Sequence, residues 1–348
     1  MPNFFARNLP AALMLSVGML GTLNHAAAAD APKGIKVGAY QVEMTVAGNG
    51  HYTVIFEAGF GGDQWVWQKI APAIAADAHV VTYSRAGLGQ SQPRPEPRTP
   101  AQVGKEFDEL IAAAGLKPPF ILVGHSYGGY LIRQFAVRHP EQVAGFVFVD
   151  SSVERLYTEL KKRDPIRLAK DLALIDKMTP EVYRAEIKLI DAAFAAAALA
   201  PVPALPDVPA VVLTSTKVYK NPELFMHTPP SMALWRSLHE DLFHTFSTGS
   251  HVVTASSGHN IQFEEPALVI NAIQQVIASA TTLARQRAHA ATRDSLMMTI
   301  DGAIALLAAQ RTSDAAAQVA TALKSSGFGE DDINGIGYAV FRERGFQQ

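Results

Sequence analysis

The chain has 348 residues, 48% of them hydrophobic and 18% charged, with 30 basic and 32 acidic side chains and a net charge of −2. A near-neutral chain without a basic run offers no electrostatic footprint for nucleic acid. With no cysteine it has no disulfide, no thiol nucleophile and no thiolate metal site, and its length supports one large domain with a substantial core plus an appendage.

Residues 1–29 read as a cleavable signal peptide: Arg7 supplies the positive start, residues 9–23 are mostly apolar, and Ala27-Ala28-Ala29 precedes Asp30. That apolar run is shorter than the roughly 20 residues a spanning helix needs. The expectation is an exported protein, periplasmic or secreted, with no stable membrane span after processing. Its mature form would carry 29 basic and 32 acidic residues, a net −3, since Arg7 is the only charge removed.

Segments 35–46 and 51–57 read as opening strands, 65–76 as a helix and 79–84 as a buried strand. Four prolines within 92–100 mark a surface loop, followed by a helix over 101–114. Ile121, Leu122 and Val123 form a strand that runs into Gly124-His125-Ser126-Tyr127-Gly128. Leu131, Ile132, Phe135 and Ala136 then give a helical stripe. Val143 to Val149 is another apolar strand, ending at Asp150. Residues 151–200 are helical in composition and close in the proline-rich stretch 201–206. Strands over 210–215 and 251–255 and a helix over 265–284 complete the alternation. The pattern predicts an α/β fold with a mostly parallel central sheet flanked by helices. Its domain would occupy 30–284, with a helical lid over about 151–206 that shapes a pocket and excludes water.

Residues 285–348 form a separate C-terminal helical extension, with stripes over 295–309 and 312–324, a break at Gly327–Glu330 and a last short helix. Through Ile333-Asn334-Gly335-Ile336-Gly337-Tyr338 it resembles extensions that begin a tetratricopeptide-like unit. One such unit cannot bury its own face. It must dock on the body, pair with another chain as a homo-oligomer or with a partner, or stay poorly ordered; a structural brace is the favoured role.

The pentapeptide at 124–128 is a G-x-S-x-G between strand and helix, the context of a nucleophile elbow. There the serine takes a strained backbone and its Oγ stands clear of the sheet, facing a helix N-terminus. Ser126 is therefore the candidate nucleophile. A serine needs a base, and the base an orienting acid. His259, in Ser256-Ser257-Gly258-His259-Asn260, leaves the last strand where ligand-facing residues collect in an open α/β sheet. It is the candidate base. His125 points away by strand alternation and reads as structural. Arg85 reads as a tie between loops. Tyr127 and Tyr130 fit a pocket wall or helix packing equally well. His239 and His244 are five apart rather than four, so they make no zinc signature. Gly59–Gly62 lacks the ending of a phosphate loop, and Gly87-Leu88-Gly89 lacks the third glycine of a dinucleotide site. No metal and no cofactor are expected.

Four motifs in order then resemble the α/β-hydrolase superfamily, specifically its lidded serine hydrolases and esterases, over about residues 35–284. They are Glu57-Ala58-Gly59-Phe60-Gly61-Gly62, Tyr83 to Ser91, the elbow, and Ser257-Gly258-His259. The resemblance implies hydrolysis of an ester or related acyl bond through an acyl-serine. It also implies an oxyanion hole from the Tyr127 amide and a glycine-loop amide, Phe60 first and Gly61 second. Many relatives place the acid after the strand read here as 210–215. In this chain no carboxylate appears there until Glu223. Asp150, after the preceding strand, is the alternative site some members use, with Glu223, Glu240 and Asp241 behind it; Asp150 as a mere helix cap is the competing reading. The expected partner is a small-molecule acyl substrate. The same machinery serves an amide, a lactone or a carbon–carbon bond. A non-catalytic binding or assembly protein on this fold is the rival of another class.

Overall fold

A computed structural model of the chain describes residues 33–94, 99–197 and 204–344. The signal-peptide reading falls outside those residues, as does the prolyl run at 201–203. The first strands are β1 (Lys33–Val37), β2 (Tyr40–Ala47) and β3 (Thr53–Glu57). After a 3-10 turn (Gln64–Trp67) come α1 (Ala71–Ile74), β4 (His79–Tyr83), α2 (Pro100–Ala114) and β5 (Phe120–His125). Next are α3 (Tyr127–Arg138), β6 (Val143–Val149), α4 (Arg155–Arg163), α5 (Pro165–Met178) and α6 (Arg184–Ala197). The chain continues through β7 (Ala210–Ser215), α7 (Pro229–Phe243), β8 (Gly249–Thr254) and α8 (Ile261–Glu264). It ends with α9 (Pro266–Ala308), α10 (Thr312–Ser326) and α11 (Glu330–Arg344).

The eight strands form one sheet in the order β1-β2-β4-β3-β5-β6-β7-β8. β1 and β2 pair antiparallel, as do β2 and β4, and every later pairing is parallel. Strand alternation sends successive side chains to opposite faces. Ile55, Leu122, Phe146 and Val212 pack with Phe107 and Phe135 on one face. Val54, Ile121, Val147 and Val211 pack with Trp67, Ile273 and Val276 on the other. Both faces are covered, which is why these strands read as unbroken apolar runs.

Three elements differ from the sequence expectation. The strand predicted over 35–46 is a hairpin, because Gly38 turns the chain at φ 57°, a region that disfavours side chains. The helix predicted over 65–76 is a 3-10 turn followed by the four-residue α1. Trp67, Ile70 and Ile74 lie at helical spacing and are buried, but short turns present that spacing as well as a helix does. The helix predicted over 265–284 runs on through 43 residues, since neither glycine nor proline interrupts it between Ala267 and Asp301.

The chain divides into two compact units, at Ala280 and Thr281. In the first, Val269, Ala272, Ile273, Val276 and Ala280 of α9 are core residues. Among the described residues α9 is the one helix long and apolar enough to cross a membrane, and 28% of its most apolar stretch is buried. In the second unit Leu296, Ala303, Ala315 and Ile336 are buried, and His289 stacks on Phe328 and bonds Asp332 at 3.0 Å.

Register decides where chemistry can gather. Glu57 pairs with Gly124, His125 with Val149, Val149 with Leu213, and Ser215 with Thr254. The carboxyl ends of β3, β5, β6, β7 and β8 thus share one edge, and each of the loops considered below leaves from it.

Candidate active site

Ser126 stands between β5 and α3 at φ 51°, ψ −120°, a strained backbone for a residue other than glycine. Its surroundings hold it there. Its N–H donates to Val149 O at 3.2 Å, and its carbonyl accepts from Gly129 N at 3.0 Å and Ser152 N at 2.9 Å. The turn also brings α3 so close to β3 that a Cβ on Gly128 would lie 2.2 Å from the Glu57 carbonyl oxygen. Only glycine fits.

His259 lies on the loop between β8 and α8. Ser215 Oγ donates to Ser257 O at 2.7 Å, Ser257 Oγ to Glu265 at 2.5 Å and Gly258 N to Glu264 at 3.1 Å. His125 Nε2 donates to His259 O at 3.0 Å, and the two rings lie 4.8 Å apart. His125 therefore braces the loop, in keeping with a structural role. So anchored, His259 sets Nε2 2.9 Å from Ser126 Oγ and Nδ1 2.7 Å from Asp150 Oδ2.

Asp150 sits at the end of β6, at φ 42°. Its N–H donates to Leu213 O at 2.8 Å. Its Oδ1 accepts from Ser215 N at 2.9 Å and from Trp235 Nε1 at 2.8 Å. Burial by itself would raise this carboxyl. The hydrogen bond and charge of His259, with His239 and Trp235, outweigh it and hold Asp150 below the usual range. The other candidate acids stand apart: Glu223 and Glu240 are exposed, and exposed Asp241 faces Arg155 at 3.7 Å. The end of β7 supplies the Ser215 amide instead of a carboxylate.

The glycine loop brings one correction. The Gly61 N–H donates to Glu186 Oε2 at 2.8 Å, so it is engaged by α6 and is not free to face Ser126. The Phe60 amide makes no hydrogen bond among the described residues, and the Tyr127 amide, first in its helix, has no intrahelical acceptor. Tyr127 and Tyr130 stack on each other and edge against Phe194, which makes them helix packing rather than pocket wall. Glu186 and Trp235 escaped the sequence reading because their partners lie 85 to 125 residues away. Trp235 did carry one signal, an indole N–H that a buried tryptophan must satisfy.

Beside Ser126 and His259 lies a cavity of about 170 Å³. Val153, Leu156 and Phe194 from the insertion after β6, and Met226 and Met232 from the segment after β7, give it an apolar wall. Tyr219 and His227, their rings 5.0 Å apart, add the polar part. Burial first, then the charge of His259, lowers His227 to about 4, so it is neutral at pH 7. Among the described residues, Asp150 is the one acidic side chain lining the cavity, and no lysine or arginine lines it.

Residues 52–208 match the family described as the α/β hydrolase fold. Over that stretch, 45% of its length, the chain has the α/β-hydrolase fold. Among curated relatives, the chain is similar to the uncharacterised protein YqjL of Bacillus subtilis. The two are 26% identical over 241 residues, covering 67% of this chain and 86% of YqjL. A Gibberella zeae protein named as an AB hydrolase superfamily protein is 34% identical over 110 residues, 30% of this chain, and the chain spans 34% of its length. Several other curated relatives are spanned over 36% of their length or less. Among solved structures, the enol-lactonase of Burkholderia xenovorans LB400 has the same fold, with a TM-score of 0.51 at 17% identity over 70% of this chain and 98% of that one.

Two buried histidines give the protein a predictable acid sensitivity. His239 Nε2–H donates to Ser151 O at 2.7 Å, its Nδ1 accepts from Thr214 Oγ at 2.6 Å, and His251 Nε2 donates to that hydroxyl at 2.8 Å. Burial lowers His239 to about 4, against an opposing pull from Asp150; burial and then the charge of His259 lower His125 to about 3. In the unfolded chain both protonate near 6.5. Below that pH the unfolded state takes up protons that the fold refuses, so stability is complete above about pH 6.5 and falls as pH drops, by up to about 1.4 kcal/mol per pH unit for each histidine. Urea midpoints measured from pH 7.5 to 4.5 should decline accordingly, and a His239→Gln variant should decline less steeply. Equal slopes for both proteins would contradict the assignment.

Proposed function

We propose that the protein is an exported serine hydrolase that cleaves an ester through an acyl-serine intermediate. The observation that carries this is the unbroken hydrogen-bonded line Ser126 Oγ–His259–Asp150, beside a cavity that admits a substrate. In the reaction His259 Nε2 takes the Ser126 proton while Oγ bonds to the ester carbon and the carbonyl electrons move to oxygen. Asp150 holds Nδ1–H and stabilises the imidazolium. The Phe60 and Tyr127 amides receive the oxyanion. Collapse breaks the bond to the alcohol, which leaves with the proton from His259. Water, activated by the same imidazole, then releases the acid.

The cavity chemistry favours an uncharged and largely apolar acyl group, given its wall of Val153, Leu156, Phe194, Met226 and Met232 and no lysine or arginine among the described lining residues. The insertion after β6 serves as a lid through Val153, Leu156 and Phe194. Residues 30–284 form the catalytic domain, and 285–348 a helical extension. Export rests on Arg7, the apolar run and the Ala27-Ala28-Ala29 site.

A fluorophosphonate probe tests the reading. It should label the folded wild type at Ser126, and Ser126→Ala should remain unlabelled. Folded wild-type protein that stays unlabelled would leave a non-catalytic role on this fold.

A further inference from the structure

The proposed reaction needs the Phe60 amide to face the developing oxyanion, yet residues 58–62 lie in neither strand nor helix. One bond inside the loop, Gly62 N–H to Gly59 O at 3.2 Å, closes its turn, and the other contacts that hold it come from elsewhere. Arg85 Nη1 donates to Ala58 O at 2.6 Å and Nη2 to Gly59 O at 2.7 Å. Arg85 is itself fixed by Glu57 Oε1 at 2.7 Å and by Glu186 Oε1, which accepts from Nη2 at 2.7 Å and from Nε at 3.0 Å. The second oxygen of Glu186 accepts the Gly61 N–H. One carboxylate from α6 therefore grips the loop twice, once through Arg85 and once directly. All three charged side chains are buried.

The direction of the Phe60 amide follows from this grip. In a trans peptide the C=O and N–H point to opposite sides. Drawing the Gly59 carbonyl onto Arg85 turns the Phe60 N–H away from the guanidinium. Gly59 abuts the nucleophile: a Cβ there would lie 3.2 Å from Ser126 Cβ and 2.7 Å from His125 Nδ1. Glu186 meanwhile occupies the neighbouring Gly61 amide, which of the two candidate donors leaves Phe60. We propose that Glu186 is a positioning residue for the oxyanion hole, acting through Arg85 and the Gly61 amide to aim the Phe60 N–H at the site beside Ser126. This rests on the serine-hydrolase reading. It makes the oxyanion hole dependent on the helical insertion: with α6 displaced, the loop loses both contacts from Glu186.

The test compares two ligands of one skeleton. A trifluoromethyl ketone accepts Ser126 Oγ at its carbonyl carbon, passes the serine proton to His259 and becomes an oxyanion. The corresponding secondary alcohol fills the same cavity without forming one. In Glu186→Ala the ketone should bind about 10²-fold more weakly, the scale of one lost oxyanion donor, while the alcohol changes less than about threefold. With an ester substrate, kcat should fall and KM should hardly move. Glu186→Gln, which is isosteric and keeps one acceptor oxygen, should fall between Glu186→Ala and wild type, and it carries the test if the alanine variant does not fold. An unchanged ratio of ketone to alcohol affinity in these variants, with wild type labelled by fluorophosphonate, would overturn the role of Glu186 alone. An unlabelled wild type would instead overturn the hydrolase reading beneath it.

Discussion

Replacing Asp150 by Asn is expected to lower kcat by about 10⁴-fold with the fold preserved, the scale seen when a triad acid of another protein is neutralised. The size of the effect follows from the hydrogen-bond directions around this one carboxylate. Oδ1 receives two donors, Ser215 N–H at 2.9 Å and Trp235 Nε1–H at 2.8 Å. An asparagine must set its oxygen there, because its NH₂ would meet two donors head on. That places the NH₂ where Oδ2 now receives His259 Nδ1. To accept from it, His259 has to carry its proton on Nε2, facing Ser126 Oγ. The base is then protonated at the nitrogen that should remove the serine proton. The variant should thus fail by enforcing the wrong tautomer. Steady-state kinetics on a chromogenic ester check this, with Glu223→Gln, Glu240→Gln and Asp241→Asn expected to stay near wild type. Near-normal turnover in Asp150→Asn, with loss in one of the other three, would move the acid role to that residue.

That arrangement also shows how far the sequence was legible. Ser126 and His259 announced themselves because a nucleophile elbow and a small-residue loop after the last strand are local patterns. Each follows an apolar run that must be a strand. Asp150 was legible by position, since β6 and β7 are neighbours and both ends can reach one imidazole. Its two oxygens were not legible separately, because Trp235 is 85 residues away and Ser215 contributes an amide rather than a side chain. Glu186 was harder still. In an amphipathic stretch a glutamate reads as solvated surface, and nothing local says that it is buried against Arg85, 101 residues distant. Gly61 was misjudged for the same reason: its competitor for the amide proton sits on another element. The short turns over residues 64–74 failed differently. There periodicity was present but length was not, and periodicity alone does not separate a turn of helix from a 3-10 turn.

Arg85→Met is expected to cost roughly 3–5 kcal/mol of stability, the penalty for leaving buried charges without their partner. All five guanidinium N–H groups are engaged: Nε with Glu186, Nη1 with Glu57 and Ala58 O, and Nη2 with Glu186 and Gly59 O. Burial opposes the charge on Arg85, but Glu186 and Glu57 more than offset it and raise its affinity for the proton. Lysine brings three donors on one nitrogen, so Arg85→Lys should recover only part of the loss. Without the guanidinium, Glu57, which burial already pushes above the usual carboxylate range even beside Arg85, would be pushed further. A carboxyl raised in this way keeps its proton in the fold after the unfolded chain has released it, at about pH 4.3. The folded state then binds more protons, so the variant should lose stability as pH rises through 5 to 7, a trend opposite to that set by the buried histidines. Adding Glu57→Gln removes one of the stranded charges. The double variant should therefore be more stable than Arg85→Met alone at pH 7 and less dependent on pH. Urea midpoints across that range decide it: a single variant as stable as wild type, or one that strengthens from pH 5 to 7 as steeply as wild type, would mean that the cluster is not the buried, guanidinium-dependent clamp its distances describe.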